Sequence, residues 1–172
     1  MEQKRWRAAV VTLSDKGYAG EREDKSGPLI CDMLRQAGYE VVETMLLPDE
    51  MGEIKECLCK LCDEIRADIV FTTGGTGLSP RDCAPEATLA VAARNVPGIA
   101  EAMRLASLQI TPRAMLSRGV SVIRNETLII NLPGSPKAAR ENLEAVLPSL
   151  DHGLAILKGR AGECGHESDE TK

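Results

Sequence analysis

Aromatic side chains are scarce in this chain of 172 residues, which has one Trp, two Tyr and one Phe. Trp6, Tyr18, Tyr39 and Phe71 are too few for a platform on which successive bases stack. Positive charge is also short: 21 Lys and Arg face 26 Asp and Glu, for a net charge of −5. With no basic block to offset that balance, the chain repels a phosphate backbone, and nucleic acid is not expected as a partner. No apolar run approaches the ~18 residues that span a bilayer, and the opening Met-Glu-Gln-Lys-Arg-Trp lacks the apolar core of a signal peptide. No membrane association and a cytoplasmic location are therefore expected.

Histidine is limited to His152 and His166, on the last helix and in the polar tail, and neither marks a metal site. The cysteines at 31, 57, 59, 62, 83 and 164 include the tempting group Cys57-x-Cys59-x-x-Cys62. Ile54, Leu58, Leu61 and Ile65 mark one face of a helix through that group. At roughly 100° per residue, Cys57 and Cys62 flank this face while Cys59 points away. One straight helix cannot converge three such thiols on a zinc ion, so reduced cytosolic cysteines are expected.

What the chain has is alternation of strands and helices. Strands are expected at Arg7 to Ser14, Val41 to Leu47 and Asp68 to Thr73, with a polar mobile loop over Lys16 to Lys25. Ser26-Gly27-Pro28 opens a helix that Gly38 ends, and Pro48-Asp49 opens the cysteine-bearing helix. Helices are also expected at Pro85 to Arg94 and Ile99 to Ile110, separated by Pro97-Gly98, with Thr111-Pro112 as a stop. Val120 to Arg124 and Thr127 to Leu132 form a hairpin around Asn125-Glu126. Ser135 is the expected N-cap and Pro136 the first residue of a last helix that runs to about Leu157, interrupted at Pro148. The chain is long enough for one core without disulfides, so a single α/β domain over 1–158 is expected, followed by a polar tail over 159–172. The pattern predicts a three-layer α/β/α fold, a mostly parallel sheet with an antiparallel edge hairpin.

The run Thr72-Thr73-Gly74-Gly75-Thr76-Gly77-Leu78-Ser79-Pro80-Arg81-Asp82 places a glycine-rich loop after an apolar strand and closes it with an ion pair. Glycines allow positive φ, so successive N–H groups can converge on a phosphate. Thr76 and Ser79 add hydroxyls, Arg81 a fixed cation, and Asp82 a carboxylate for magnesium or a proton. The loop lacks the Gly-Lys-Ser/Thr of a P-loop and the third glycine of a dinucleotide site. In such sheets ligands bind beyond the carboxyl ends of the strands. Four polar turns fall there: Ser14-Asp15, Asp49, Gly74 to Asp82, and Pro133 to Ser135. From the residues alone, Asp49 reads either as a helix cap or as a ligand, Asp82 as a ligand or a partner of Arg81, and Ser117 as a loop hydroxyl or a ligand.

Thr12-Leu13-Ser14-Asp15, Ala19 to Gly27, Gly74 to Asp82, Pro85-Glu86-Ala87-Thr88, Met115-Leu116-Ser117-Arg118 and Asn131 to Pro136 together resemble the Mog-type molybdopterin adenylyltransferases over residues 7 to 158. The resemblance implies a molybdopterin-binding-domain fold, a homotrimer, and transfer of AMP from magnesium-ATP to the terminal phosphate of molybdopterin with release of pyrophosphate. It implies Asp49 and Asp82 as the functional, catalytic carboxylates, and two carboxylates on separate loops suit one magnesium on the triphosphate, so both are expected to hold that ion. Gly74, Gly75, Thr76, Gly77, Ser117, Pro133, Gly134 and Ser135 would line the nucleotide and phosphate site, and Ser14, Asp15, Ser79 and Arg81 the pterin cleft. A molybdate-inserting protein is the implied partner. The similar MoaB-type proteins share most of these motifs, so a pterin carrier or scaffold without adenylyl transfer is the alternative. Cys83-Ala84 departs from the family's usual valine and threonine, and Cys83 reads as a small core residue or a redox-sensitive thiol.

Overall fold

Strand β1, Arg7–Leu13, is buried at every residue from Ala8 onward, which requires cover on both faces of its sheet. The computed structural model describes residues 5–160, so most of the tail expected over 159–172, with Cys164 and His166, lies outside the described residues. After β1 the chain forms helix α1, Asp15–Tyr18, where the sequence pattern predicts a loop: the Ser14 hydroxyl accepts the Gly17 N–H and starts one helical turn. Then come α2, Ser26–Gln36, β2, Glu40–Leu47, α3, Met51–Asp63, and β3, Ile69–Thr73. Gly38 at φ +89° ends α2 as its position predicts.

Helix α4 covers Ala84–Val91 and stops short of its expected end, because Arg94–Asn95 leave it to form a two-residue strand, β4. Pro97 and Gly98 form the first turn of α5, Pro97–Leu108, and do not separate it from α4. A 3₁₀ turn over Pro112–Leu116 follows, with the Thr111 hydroxyl accepting the Arg113 N–H. Strands β5, Ser121–Arg124, and β6, Thr127–Leu132, make the expected hairpin, with Asn125 at φ +51° in place of the missing glycine. Helix α6, Pro136–Leu157, runs through Pro148 without a break. Pro148 and Glu144 are both exposed, so the donor that proline removes is lost on the solvent side of the helix, where water can take its place.

The strand order is β2-β1-β3-β6-β5-β4. β2, β1, β3 and β6 run parallel, while β5 is antiparallel to β6 and to the edge strand β4. Alternate residues of the central strands feed two cores. Val10, Phe71, Ile130 and Leu132 pack with α2, α5 and α6 on one face. Val11, Val70 and Ile129 pack with α3 and α4 on the other. This is the three-layer arrangement, and it brings the ends of β1, β2, β3 and β6 to one rim.

Candidate functional site

Just past β3, Gly74 and Gly75 take φ +99° and +65°, values that turn the chain sharply at the sheet's edge. A Cβ on Gly74 would lie 2.3 Å from the Leu13 carbonyl oxygen, so the turn presses on the end of β1. The Gly74 N–H donates to the Leu132 carbonyl at 3.1 Å, and the Thr73 hydroxyl donates to the Pro133 carbonyl at 2.7 Å. These two bonds draw the loop after β6 against the glycine loop, where Gly134 approaches Gly74 too closely for a larger residue to fit easily.

The loops after β1 and β2 lock onto each other. The Asp15 N–H donates to Asp49 Oδ2 at 3.1 Å, and the Asp49 N–H donates to Asp15 Oδ1 at 3.0 Å. Glu50, not Asp49, holds the N-cap position of α3, and makes no side-chain cap bond, so capping does not explain the Asp49 carboxylate. Asp49 Oδ1 is buried with no hydrogen-bond partner. Burial pushes this carboxyl above the ordinary aspartate value, with the Asp15 N–H pulling the other way and the Asp15 and Asp82 charges adding to the rise. On the glycine loop, Asp82 Oδ2 accepts the Ser79 N–H at 3.2 Å.

Asp49 and Asp82 share a cleft of about 730 Å³ with Ser14, Gly74, Gly75, Gly134 and Ser135. Other residues of the expected site stand behind or beside that wall. Arg81 does not pair with Asp82, its neighbour in sequence. Its guanidinium reaches Asp15 at 2.9 and 3.0 Å and Glu50 at 2.7 Å, because the turn from Ser79 to Asp82 sends the two side chains in different directions. The Arg81 bonds hold the Asp15 carboxyl below its usual range. Thr76 is buried, and its carbonyl accepts the Arg118 N–H at 2.8 Å; Ser117, half-buried, accepts the Gly119 N–H at 3.4 Å. Gly77 lies against Asp82 Oδ2, and Pro133 serves through its carbonyl. Ser79 and Arg81 are exposed at the outer rim.

The cleft also has walls that residue types alone do not pick out: Arg22, Glu23, Asp24, Lys25 and Ser26. Asp24 accepts the Thr12 hydroxyl at 2.7 Å and the Ser26 and Gly27 N–H groups at 3.1 and 3.0 Å, binding the start of α2 to β1. The Ser26 hydroxyl then donates to the Gly134 carbonyl at 2.6 Å. An acid two residues before Ser-Gly-Pro is the available signal for this cap. Residues at the N-termini of α2 and α6 both line the cleft and bring partial positive charge to it, although the Ser26 and Gly27 N–H groups are taken by Asp24 and the Ala138 N–H by Ser135. The arrangement suits an anion accompanied by a divalent cation.

Among the described residues no group of three or more His, Cys, Asp or Glu side chains could hold a metal ion unaided. Burial pushes the Cys57 thiol up to about 11 and the Cys62 thiol up to about 12, and the five described cysteines are unpaired. Burial, then the Asp49 charge, also raises the Cys83 thiol, which disfavours a reactive thiolate.

A family model described as a probable molybdopterin binding domain matches residues 9–152. The molybdopterin adenylyltransferase of Escherichia coli (strain K12) is 48% identical over 143 residues, covering 81% of this chain and 73% of that protein. The molybdopterin adenylyltransferase of Haemophilus influenzae strain Rd is 47% identical over 152 residues, covering 87% and 76%. Among solved structures, the molybdopterin biosynthesis enzyme MoaB from Thermus thermophilus matches with a TM-score of 0.86 and 49% identity, covering 92% of this chain and 99% of that one. The mostly parallel sheet with an antiparallel edge is the fold these proteins share.

Proposed function

This chain belongs to the molybdopterin binding domain family, and we propose that it is the enzyme that adenylylates molybdopterin in molybdenum cofactor biosynthesis. The terminal phosphate of molybdopterin attacks the α-phosphorus of ATP, a new P–O bond forms, the bond to the β-phosphate breaks, and pyrophosphate leaves. A phosphate nucleophile is already ionised near neutral pH, so the reaction needs alignment and charge neutralisation more than a base. The single observation that carries this reading is the pair Asp49 and Asp82 facing one cleft beneath two helix N-termini, with Asp49 Oδ1 buried and unpartnered.

An orphaned carboxylate oxygen and a second carboxylate across the cleft fit magnesium, which takes oxygen ligands and completes its shell with water and substrate phosphates. Asp49 and Asp82 would hold the ion, whose chemistry is to neutralise charge on the triphosphate. The N–H groups of Gly75, Thr76 and Gly77, on the turn that Gly74 opens, hold the nucleotide phosphates with Ser117 and the Pro133, Gly134 and Ser135 turn. Ser14 donates to the pterin phosphate, and Asp15, Ser79 and Arg81 form the rim along which the pterin lies.

Leu105 and Leu108 on α5, Met115 and Leu116 on the 3₁₀ turn and Ile110 between them are exposed, which supports self-association, and the family resemblance makes that a homotrimer. The free thiols support a reducing cytoplasm, where a molybdate-inserting partner would take the product. The alternative, from the motifs shared with MoaB-type proteins, is a carrier that binds molybdopterin without transfer. Chromatography of the pterin after incubation with magnesium-ATP separates the two. Adenylylated pterin and pyrophosphate support the enzyme; bound, unmodified pterin supports the carrier.

A further inference from the structure

Between Gly75 and Ala84 the glycine loop has few ties to the rest of the fold. Its ends are fixed by the Gly74 N–H on Leu132 and the Ala84 N–H on Gly75, and its middle is a turn closed on itself through Ser79 and Asp82. The ion pairs of Arg81 reach outward, but that side chain is 53% exposed, and exposed pairs hold weakly.

The other tie comes from Arg118, ahead of β5. Its Nε donates to the Gly77 carbonyl at 2.6 Å and its Nη2 to the Asp82 carbonyl at 2.9 Å, while its own N–H donates to the Thr76 carbonyl at 2.8 Å. Its remaining Nη1 pairs with Glu86 on α4. The two backbone carbonyls this side chain holds lie ahead of the Ser79 to Asp82 turn and at its last residue, so a single planar guanidinium spans the segment that carries the Asp82 carboxylate. A lysine has the charge but not the fork: its single nitrogen lacks the separated Nε and Nη2 donors that reach the two carbonyls here.

The geometry points to Arg118 as a positioning residue for adenylyl transfer: it clamps the glycine loop and sets where Asp82 stands. This rests on the proposed reaction, but the clamp itself is measurable without it. The Arg118→Lys and Arg118→Gln variants of the full chain are compared with wild type by amide hydrogen exchange over residues 74–84 and by steady-state kinetics with molybdopterin and magnesium-ATP. Glu86→Gln, which removes the ion pair and leaves both carbonyl bonds, is the control.

Exchange in the loop should rise by about tenfold or more in both Arg118 variants while β1 and α6 keep their protection. Their kcat should fall about tenfold to a hundredfold, with KM for molybdopterin within about threefold, since misplacing a catalytic group costs mainly turnover. Glu86→Gln should match wild type in both readouts. Wild-type kcat in Arg118→Lys, unchanged loop exchange, or deprotection spread through the sheet would overturn the assignment. If Arg118→Gln does not fold, the lysine variant decides. If wild type itself makes no adenylylated pterin, the proposed reaction fails, and loop exchange alone still decides whether Arg118 is the clamp.

Discussion

Replacing Asp49 by Asn should make the protein more stable and abolish its activity. In the ligand-free fold Asp49 Oδ1 is buried without a partner, and the Asp15 and Asp82 charges oppose its ionisation. The carboxyl's folded value is raised above its ordinary 3.8, so between those two values the folded state binds more protons than the unfolded chain. Stability therefore falls as pH rises through that window and stays lowered above it. Asn keeps an acceptor for the Asp15 N–H, carries no charge, and escapes this penalty. The amide nitrogen that replaces Oδ1 is unpartnered too, but a neutral group costs less to bury unpaired than a charge, and because Asp49 is only half-buried we expect a gain of about 1 kcal/mol at neutral pH. For a chain of this size that is a rise in Tm of about 2–4 °C. Thermal unfolding of both proteins at matched concentration from pH 4.5 to 8 should show a gap that narrows toward acid. A lower Tm for Asp49→Asn at neutral pH would mean that the carboxylate holds the fold together, and would refute the argument that it is kept for a ligand.

Two further outcomes follow from the same rim. Gly74→Ala should cost more than the ~1–3 kcal/mol of backbone strain expected for Gly38→Ala, because both have positive φ but only Gly74 would press a methyl against the Leu13 carbonyl; equal shifts in urea midpoint would contradict this. Arg81 holds the Asp15 carboxyl below its ordinary 3.8, so the stability it contributes is complete above that value and lost as pH falls through the depressed one. In Arg81→Ala the Asp15 titration followed by NMR should move up toward 3.8, and an unmoved curve would deny the coupling.

Much of this rim is legible in the sequence because its signals are local. Gly74 and Gly75 follow an apolar strand, Ser135 precedes Pro136, and Asp49 follows a strand's end, each readable within a few residues. Pairings across the chain are less so. Arg81 lies next to Asp82 in sequence but bonds to Asp15, 66 positions away, since the intervening turn aims it outward. Arg118 shows its role only when the 3₁₀ turn and β5 are folded beside the glycine loop, and Asp24 only when α2 meets β1. Likewise nothing local marks Lys158, the last residue of the expected domain, yet it bonds Asp68 at 2.9 Å with both side chains nearly buried. Arg94–Asn95 are too short for a strand pattern, and only pairing with β5 makes them one. Pro148 reads as an interruption because proline lacks a donor, but its exposed position lets water replace the lost bond.

The most direct test is the conversion of molybdopterin to its adenylylated form by purified wild type with magnesium-ATP, alongside Asp82→Ala shown by circular dichroism to be folded. The account predicts adenylylated pterin and pyrophosphate from wild type, and pterin binding without product from Asp82→Ala. Product formation by folded Asp82→Ala at the wild-type rate, or none by wild type, would contradict it.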